Sequence, residues 1–525
     1  MNLTTEQNTA ATLPLADGQI QLIESVAGSG KTTVAAARIR NLIAEGRNPA
    51  GIVAITYTRA GGKALRAKIG ELSTPLGWVG TLNALAMRAL NVQPEKFLTE
   101  AEEEDFVRDI LRTLRLDKAI SLRAAGLALS SAPGSDAVSN GNISLFVRRY
   151  RAELRSAGKT THAACLLDYF DHLQGITSPP QILLVDEAQD TAPIDQEIYY
   201  RLRGTYGTII IGDRRQSIFQ FRGSSDAYIR AAARRGTITP LSTSFRCART
   251  IVALANKAAG LTGEAAMRSA RDHMGVTVNV RVNNQREEED FLAHWATNNV
   301  AGGESGAILC RYNADVDRIY QALSTCGIAL APRVSRSEEK EAGMKALVNI
   351  LRFIVAALDS SSQIEAGRNL INKLPWEIRS EVIEAAWKSL DYEIDLDEVL
   401  RRLETPSEIR AAAKALGLGR ERFDIQGVRA LIEAATDRRG GDEGEDTGIH
   451  VETIHGAKGR EWDHVVLAAA DSRLDGTLDI ADLNLVYVAI TRARDTFVAL
   501  HASNIFDKFT GRTRSIEPSK IINSL

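Results

Sequence analysis

A chain of 525 residues is too long for a single hydrophobic core and implies two to four domains. With 44% hydrophobic and 25% charged residues the composition is that of an ordinary globular protein, and no apolar run approaches the ~18 residues a membrane span requires. The formal net charge of -2, from 64 basic and 66 acidic residues, announces no polyanionic partner, although a local basic groove with aromatic platforms is compatible with it. The opening MNLTTEQNTAATLPL has no basic stretch leading into an apolar one, so no secretory leader is expected. Cys165, Cys247, Cys310 and Cys326 show no CxxC or Cys/His spacing. That pattern argues against zinc, an iron–sulfur cluster or a disulfide framework, and suits a reducing cytoplasm.

In chain order, short β-branched-rich runs predict strands: QIQLIE before Ser25, Ile52 to Thr56, Ile182 to Asp186, TIIIGD up to Asp213, Ala307 to Arg311, HVVLAAA from His464 and TFVALHA from Thr496. They do not alternate cleanly, as expected of parallel strands covered on both faces. Helical patterns separate them, which gives an α/β class with two cores, one before about Leu241 and one after. Each core is interrupted by a mainly helical insertion. In the first, DFVRDILRTL puts Phe106, Ile110 and Leu114 on one face. In the second, TPSEIRAAAKALGLG opens on a cap and stops at glycine, before an acidic glycine-rich linker from Gly440 to Gly448. The expected boundaries are 1–87 and 179–240 for the first core, 88–178 for its insertion, 241–334 and 448–525 for the second core, and 335–447 for its reduced insertion.

SVAGSGKTT, Ser25 to Thr33, lies between a strand and the helical pattern VAAARIRNLI. A strand, a glycine loop, a Lys-Thr pair and a helix are what a phosphate cradle needs. Glycines let backbone N–H groups turn to the phosphates, and the helix N-terminus adds positive charge. Ala27, Gly28, Ser29, Gly30, Lys31, Thr32 and Thr33 are the candidate ATP loop, with Lys31 on the β/γ oxygens and Thr32 on Mg²⁺. ILLVDEAQD ends a strand in two carboxylates at the edge where ligands of open α/β sheets collect. Asp186 is expected to hold Mg²⁺ with Thr32, and Glu187 to orient and deprotonate the attacking water.

With these residues the chain resembles the UvrD/Rep/PcrA branch of superfamily-one helicases. Further strings fall in the same order: LTTEQNTAA from Leu3, ITYTRAGGKALRAKI from Ile55, GTLNALAMRAL from Gly80, IIIGDRRQSIFQFRG from Ile209, LSTSFRCARTIVALAN from Leu241, VETIHGAKGREWDHVVL from Val451 and LVYVAITRARD from Leu485. The resemblance implies two RecA-like P-loop cores with parallel sheets flanked by helices, and 3′→5′ movement on single-stranded DNA driven by ATP. It makes Gln7 the adenine contact, places Arg38 near the nucleotide, stacks Phe245 on the adenine and gives Glu461 the ribose hydroxyl. Gln216 would sense the γ-phosphate. Arg246 and Arg492, each expected near the start of a helix of the second core, would act as arginine fingers across a cleft. For the DNA track it implies Phe221 first, then Phe219, Arg222, Tyr57, Thr58, Thr81, Asn83 (where the family has histidine), His455 and Phe506. Core burial competes with stacking for Phe219 and Tyr57.

Two other readings remain open at this stage. One is a DNA-stimulated ATPase subunit working beside a separate nuclease, such as an OLD-family nuclease in Gabija-like anti-phage defence, which the compact size suits. The other is a P-loop kinase or metabolic ATPase, which the later motif strings oppose.

Overall fold

The computed structural model describes residues 3–72, 74–131, 135, 138, 140–175, 179–220, 223–260, 266–300, 303–331, 394–395, 422–423, 448–472, 474, 480–507 and 512–524. They divide into two compact units, 1–317 together with 453–525, and 318–452. Apart from 394–395 and 422–423, the expected 335–447 insertion, with its capped helix and nearly all of the acidic linker, lies outside the described residues. Everything below concerns the larger unit.

Its first sheet is built on α1 (Thr5–Thr12), β1 (Gln19–Ser25), α2 (Lys31–Ala44), β2 (Ile52–Ile55), α3 (Arg59–Ile69), β3 (Trp78–Gly80) and α4 (Leu82–Ala89). After four helices, α5 (Glu100–Thr113), α6 (Leu122–Leu129), α7 (Gly141–Ser156) and α8 (His162–His172), the chain returns with β4 (Ile182–Val185), α9 (Pro193–Leu202), β5 (Gly207–Gly212), α10 (Ala227–Arg235) and β6 (Thr237–Leu241). The six strands are all parallel, in the order β3-β2-β4-β5-β1-β6. Side chains alternate between two apolar layers: Leu22, Ile55, Leu183, Val185 and Ile210 face one, and Ile23, Ala54, Leu184, Ile209 and Ile211 the other. The first layer continues into α5–α8 through Ile110, Phe146 and Tyr150, so those helices share a core with the sheet. Every residue of β4 and β5 is buried, which explains why these strands read as unbroken apolar runs.

The second sheet follows α11 (Arg249–Gly260). Its strands are β7 (Val276–Asn284), β8 (Gly306–Cys310), β9 (Trp462–Leu467), the long β10 (Ala493–Asp507) and β11 (Arg512–Ser515). α12 (Gln285–Val300) connects β7 to β8, and α13 (Ile480–Ile490) connects β9 to β10. β8, β9, β10 and β7 are parallel neighbours, and β11 returns antiparallel along the end of β10. Four of these strands were not singled out in the sequence. β3 has three residues and β6 is an exposed edge containing Pro240; β7 alternates Val with Thr, Asn and Arg because one face is open; β11 is short and polar. Among the described residues no helix is long and apolar enough to cross a membrane.

Arg38 departs from expectation. Its fully buried guanidinium points to the end of α1, donating to the carbonyls of Ala11 at 3.2 Å and Leu13 at 2.6 Å and to the Gln21 amide oxygen at 3.1 Å. Lying two turns into α2, it pins the N-terminal helix to the sheet instead of lying free beside a nucleotide. Arg38→Ala would leave these acceptors buried and unpaired, so we expect a loss of ~3 kcal/mol or more in thermal unfolding. The KM for ATP of the folded fraction should stay unchanged; a raised KM with normal stability would restore a nucleotide role.

Candidate functional site

The loop after β1 is shaped by two left-handed glycines, Gly28 at φ 72° and Gly30 at φ 79°. A Cβ on Gly28 would stand 2.6 Å from the Arg246 Cβ and 2.8 Å from the Ser244 hydroxyl, and one on Gly30 would meet the Gln7 amide nitrogen at 2.8 Å. Glycine is therefore required by conformation and by space. Gln7 closes a capping box with Thr4 through its Oε1 and donates its Nε2 to the Ser29 carbonyl at 3.0 Å. The expected adenine reader thus sits against the loop, tying α1 to it. The Ser29 hydroxyl is buried without a partner among the described residues, as befits a loop built to receive an external acceptor.

Lys31 extends from the start of α2 to both carboxylate oxygens of Glu187, at 3.0 and 3.1 Å. Burial opposes its charge, but Glu187, Asp186 and Asp213 hold the ammonium above its ordinary value. Glu187 has a left-handed backbone, φ 54°, unusual for a side-chain-bearing residue; Gln189 donates to its carboxylate at 2.5 Å. Asp186 accepts from the Glu187 N–H at 2.9 Å. Burial and the Glu187 charge push the Asp186 carboxyl up; Glu187 is held down, against burial, by Lys31 and Lys458. Two buried carboxylates thus share the local cations, and a divalent ion fits this deficit. Mg²⁺ is commonly held by one or two carboxylates, substrate phosphates and water, which Asp186 with the Thr32 hydroxyl can supply. Thr33 accepts from Lys68 at 2.7 Å.

Residues of the second sheet's half of the unit reach the same place. Phe245 donates its N–H to the Gly28 carbonyl at 2.9 Å and leaves its ring 42% exposed beside the loop. Arg246 pairs with Glu461 and donates to the Thr491 carbonyl at 3.0 Å. Burial would raise Glu461, but Arg246 and Arg494 overcome it and hold the carboxylate ionised. Arg492 is not near a helix start: it follows the C-terminus of α13. The LVYVAI run is helical, and the guanidinium folds back onto its last turn, donating to the carbonyls of Val488 at 3.1 Å and Arg460 at 3.0 Å. No acid pairs with it among the described residues, and burial with the neighbouring Arg246 charge lowers its pKa to about 9.

Three residues not singled out in the sequence complete the contact. Tyr487 and Asn484 lie in or beside the LVYVAITRARD string. The Tyr487 hydroxyl accepts from Ala27 N–H at 3.5 Å, and Asn484 donates to the carbonyls of Arg214 and Ser217, both at 3.2 Å. Lys458, inside the GAKG string, bonds Asp190 at 2.5 and 2.7 Å and the Gln216 carbonyl at 2.5 Å. The Gln216 side chain is bound to Asp213 at 2.7 Å.

On the expected DNA side, Tyr57 is 42% exposed and stacks on Phe219 with centroids 5.9 Å apart. Phe219 is partly buried, 5.9 Å from the His455 ring and 5.0 Å from Lys458 Nζ. His455 approaches the Ile218 carbonyl at 3.2 Å. Thr58 and Thr81 cap α3 and α4, accepting from Gly61 and Ala84, and each hydroxyl keeps a proton to donate. The buried Asn83 Oδ1 has no partner among the described residues. Phe221, Arg222 and the Phe506 side chain lie outside the described residues.

Removing one member of a buried ion pair strands the other. Lys458→Met is expected to cost ~3–5 kcal/mol, and adding Asp190→Asn to recover most of it. Melting temperatures of the four chains check this; additive losses would mean the two side chains do not act as a pair.

The UvrD/REP helicase N-terminal domain matches residues 3–128 and 144–235, and the UvrD-like helicase C-terminal domain matches 448–499, between them about half the chain. The ATP-dependent DNA helicase UvrD2 of Mycobacterium tuberculosis (strain ATCC 25618 / H37Rv) is 25% identical over 590 residues, spanning 95% of this chain and 78% of that protein. The probable DNA helicase II homolog of Mycoplasma pneumoniae is 23% identical, spanning 94% and 83%. DNA helicase II of Escherichia coli (strain K12) is 27% identical over a shorter stretch, 39% of this chain and 32% of that protein. With a P-loop and its two acids on one parallel sheet, and motif-bearing arginines of a second sheet against them, the chain belongs to the UvrD-like helicases of superfamily one.

Proposed function

We propose that this protein hydrolyses ATP to move along single-stranded DNA in the 3′→5′ direction and to separate duplex ahead of it. In this reading 1–87 with 179–240 and 241–334 with 448–525 are the two RecA-like cores, with insertions at 88–178 and 335–447. The observation that carries it is the single cluster formed by Lys31, Asp186 and Glu187 with Arg246, Lys458 and Arg492. The first three are the equipment of a phosphate-hydrolysing site. The others come from the second sheet's side, so the charge of the bound nucleotide is felt by both halves.

The reaction follows from that arrangement. The Gly28 to Thr32 loop binds the triphosphate, with Lys31 leaving Glu187 for the phosphate oxygens. Released from the lysine, Glu187 is free to orient a water and take its proton. Asp186 and Thr32 would hold Mg²⁺, which would supply neutralisation of the triphosphate's charge. Arg246 and Arg492 stabilise charge that develops on the transferred phosphoryl group. Arg492 has no acid to abandon, so it is the better prepared of the two. Loss of the γ-phosphate removes the anion that draws the halves together, and the resulting opening moves the strand against Tyr57 and Phe219.

Steady-state ATP hydrolysis with and without single-stranded DNA tests the motor directly. Strong stimulation is expected, with displacement of a block from the 5′ end of the strand but not the 3′ end; hydrolysis indifferent to DNA would overturn the proposal. Glu187→Gln should lower kcat by about 10²–10⁴. Arg492→Met should lower it by about 10³ or more, and melting temperatures measured alongside separate a loss of turnover from a loss of fold. Near-normal turnover in either variant would remove that residue from the mechanism. Tyr57→Ala should weaken single-strand affinity by about 1–3 kcal/mol, read by fluorescence anisotropy, and an unchanged affinity would return Tyr57 to a packing role.

A further inference from the structure

The first sheet carries a second opening at the edge opposite the P-loop. A cavity of about 810 Å³ lies between the beginnings of β1 and β5, at Gly18, Ile20 and Thr208, and helices α9 and α10. Its volume is in the range of small-molecule sites. β1 rises ~3.3 Å per residue toward Ser25, so the floor of this cavity stands roughly 20 Å from the phosphate loop. It is a separate place on the molecule.

Its lining is rich in donors and poor in acceptors. Arg201, Arg203 and Arg235 contribute three guanidiniums, and among the described residues no aspartate or glutamate lines the cavity. None of the three has an ion pair or hydrogen bond among the described residues; Arg201 lies over the Phe170 ring, 3.9 Å from its centroid. Elsewhere on this chain arginines commonly find carboxylates, as Arg108, Arg151 and Arg230 do. Tyr199 and Tyr228 are buried, 5% and 3% exposed, with ring centroids 5.4 Å apart. Their hydroxyls have no hydrogen-bond partner among the described residues. Burial drives both phenols far above their ordinary pKa, so they remain donors. Tyr200 packs edge-on against Tyr228 at 5.5 Å and is 39% exposed. An anion satisfies the guanidiniums, and a planar ring finds an aromatic partner in Tyr200.

We propose that this cavity is a second nucleotide site, distinct from the ATP loop, that takes a nucleoside phosphate with its phosphates on Arg203 and Arg235 and its base against Tyr200. Guanidiniums match phosphate geometry, and the arginines stand where α9 and α10 end, at the exposed mouth. An inorganic anion alone would leave the aromatic wall unused.

Binding stoichiometry of the full chain, by equilibrium dialysis with labelled ADP and with labelled GDP, decides the matter. The unmodified protein should bind two equivalents at saturation. Arg203→Ala with Arg235→Ala, two exposed positions that leave the core intact, should bind one, or weaken the second by at least about tenfold, with the KM for ATP unchanged. Tyr200→Ala should weaken the second equivalent of nucleotide but leave pyrophosphate binding as it was. One equivalent in the unmodified chain, or two of undiminished affinity in the double variant, overturns the proposal. So does a second site that holds pyrophosphate as tightly as ADP, because the base would then contribute nothing. If the double variant instead loses affinity for single-stranded DNA with nucleotide stoichiometry unchanged, the arginines belong to a DNA-binding face and the second site is refuted.

Discussion

There is no room for a side chain at position 28. The P-loop turns there in a left-handed conformation directly against Ser244 and Arg246, 2.6 Å from where a Cβ would meet the arginine's own Cβ. This contact is closed further by the Phe245 N–H on the Gly28 carbonyl and by Tyr487 near Ala27. Val26 and Ala27 are packed in the same apolar cluster as Cys247, Leu467 and Tyr487. The loop that cradles phosphates is thus wedged between the two sheets, with the first supplying its strand and the second part of its wall. Any change in how the loop is filled is felt by Arg246 with no intermediary.

The charges around that wedge are balanced unequally. Lys31 is committed to Glu187, Lys458 to Asp190 and Arg246 to Glu461. Among the described residues Arg492 has only carbonyls and one hydroxyl, and Asp186 is left with a backbone N–H and a share of Lys31. An unpaired buried guanidinium and an under-neutralised buried carboxylate are each costly. A triphosphate and a divalent cation are the pair of species that would relieve both. The protein stores in its site a mismatch of charge complementary to the ligand it is proposed to hydrolyse.

Much of this was legible in the sequence, and for physical reasons. A phosphate loop is made by neighbours in the chain, so glycine, lysine and threonine at fixed spacing between a strand and a helix announce themselves. The acids at the end of β4 do the same, because an all-apolar strand ending in Asp-Glu has little other meaning beside such a loop. Partnerships across the fold were not legible. Nothing in VAAARIRNLI says that Arg38 reaches back to Ala11 and Leu13, since three carbonyl acceptors have no sequence signature. Lys458 and Asp190 are 268 positions apart, and their pairing exists only once both halves have folded. The LVYVAI run is apolar and β-branched enough to suit either a strand or a helix. Only its burial on all sides as α13, from Asp482 and Asn484 through Ile490, explains the composition and puts Arg492 at its end.

Lys458 also shows how the two ends of the proposed cycle are joined. Its ammonium is bonded to Asp190, a neighbour of the acid that would activate water, and to the Gln216 carbonyl, two residues before Ile218. The same nitrogen stands 5.0 Å from the Phe219 ring, against which Tyr57 also stacks. Burial lowers the Lys458 pKa, and Asp190 and Glu187 work against that loss. If Lys31 turns from Glu187 to a phosphate, Glu187 is left to compete with Asp190 for the Lys458 ammonium. The Gln216 carbonyl is bonded to that same ammonium, so the segment leading to Phe219 would feel the change. One lysine side chain thus separates the acids of the proposed hydrolytic site from the aromatic pair proposed to hold the strand, and a change of charge at the P-loop would reach that pair through it.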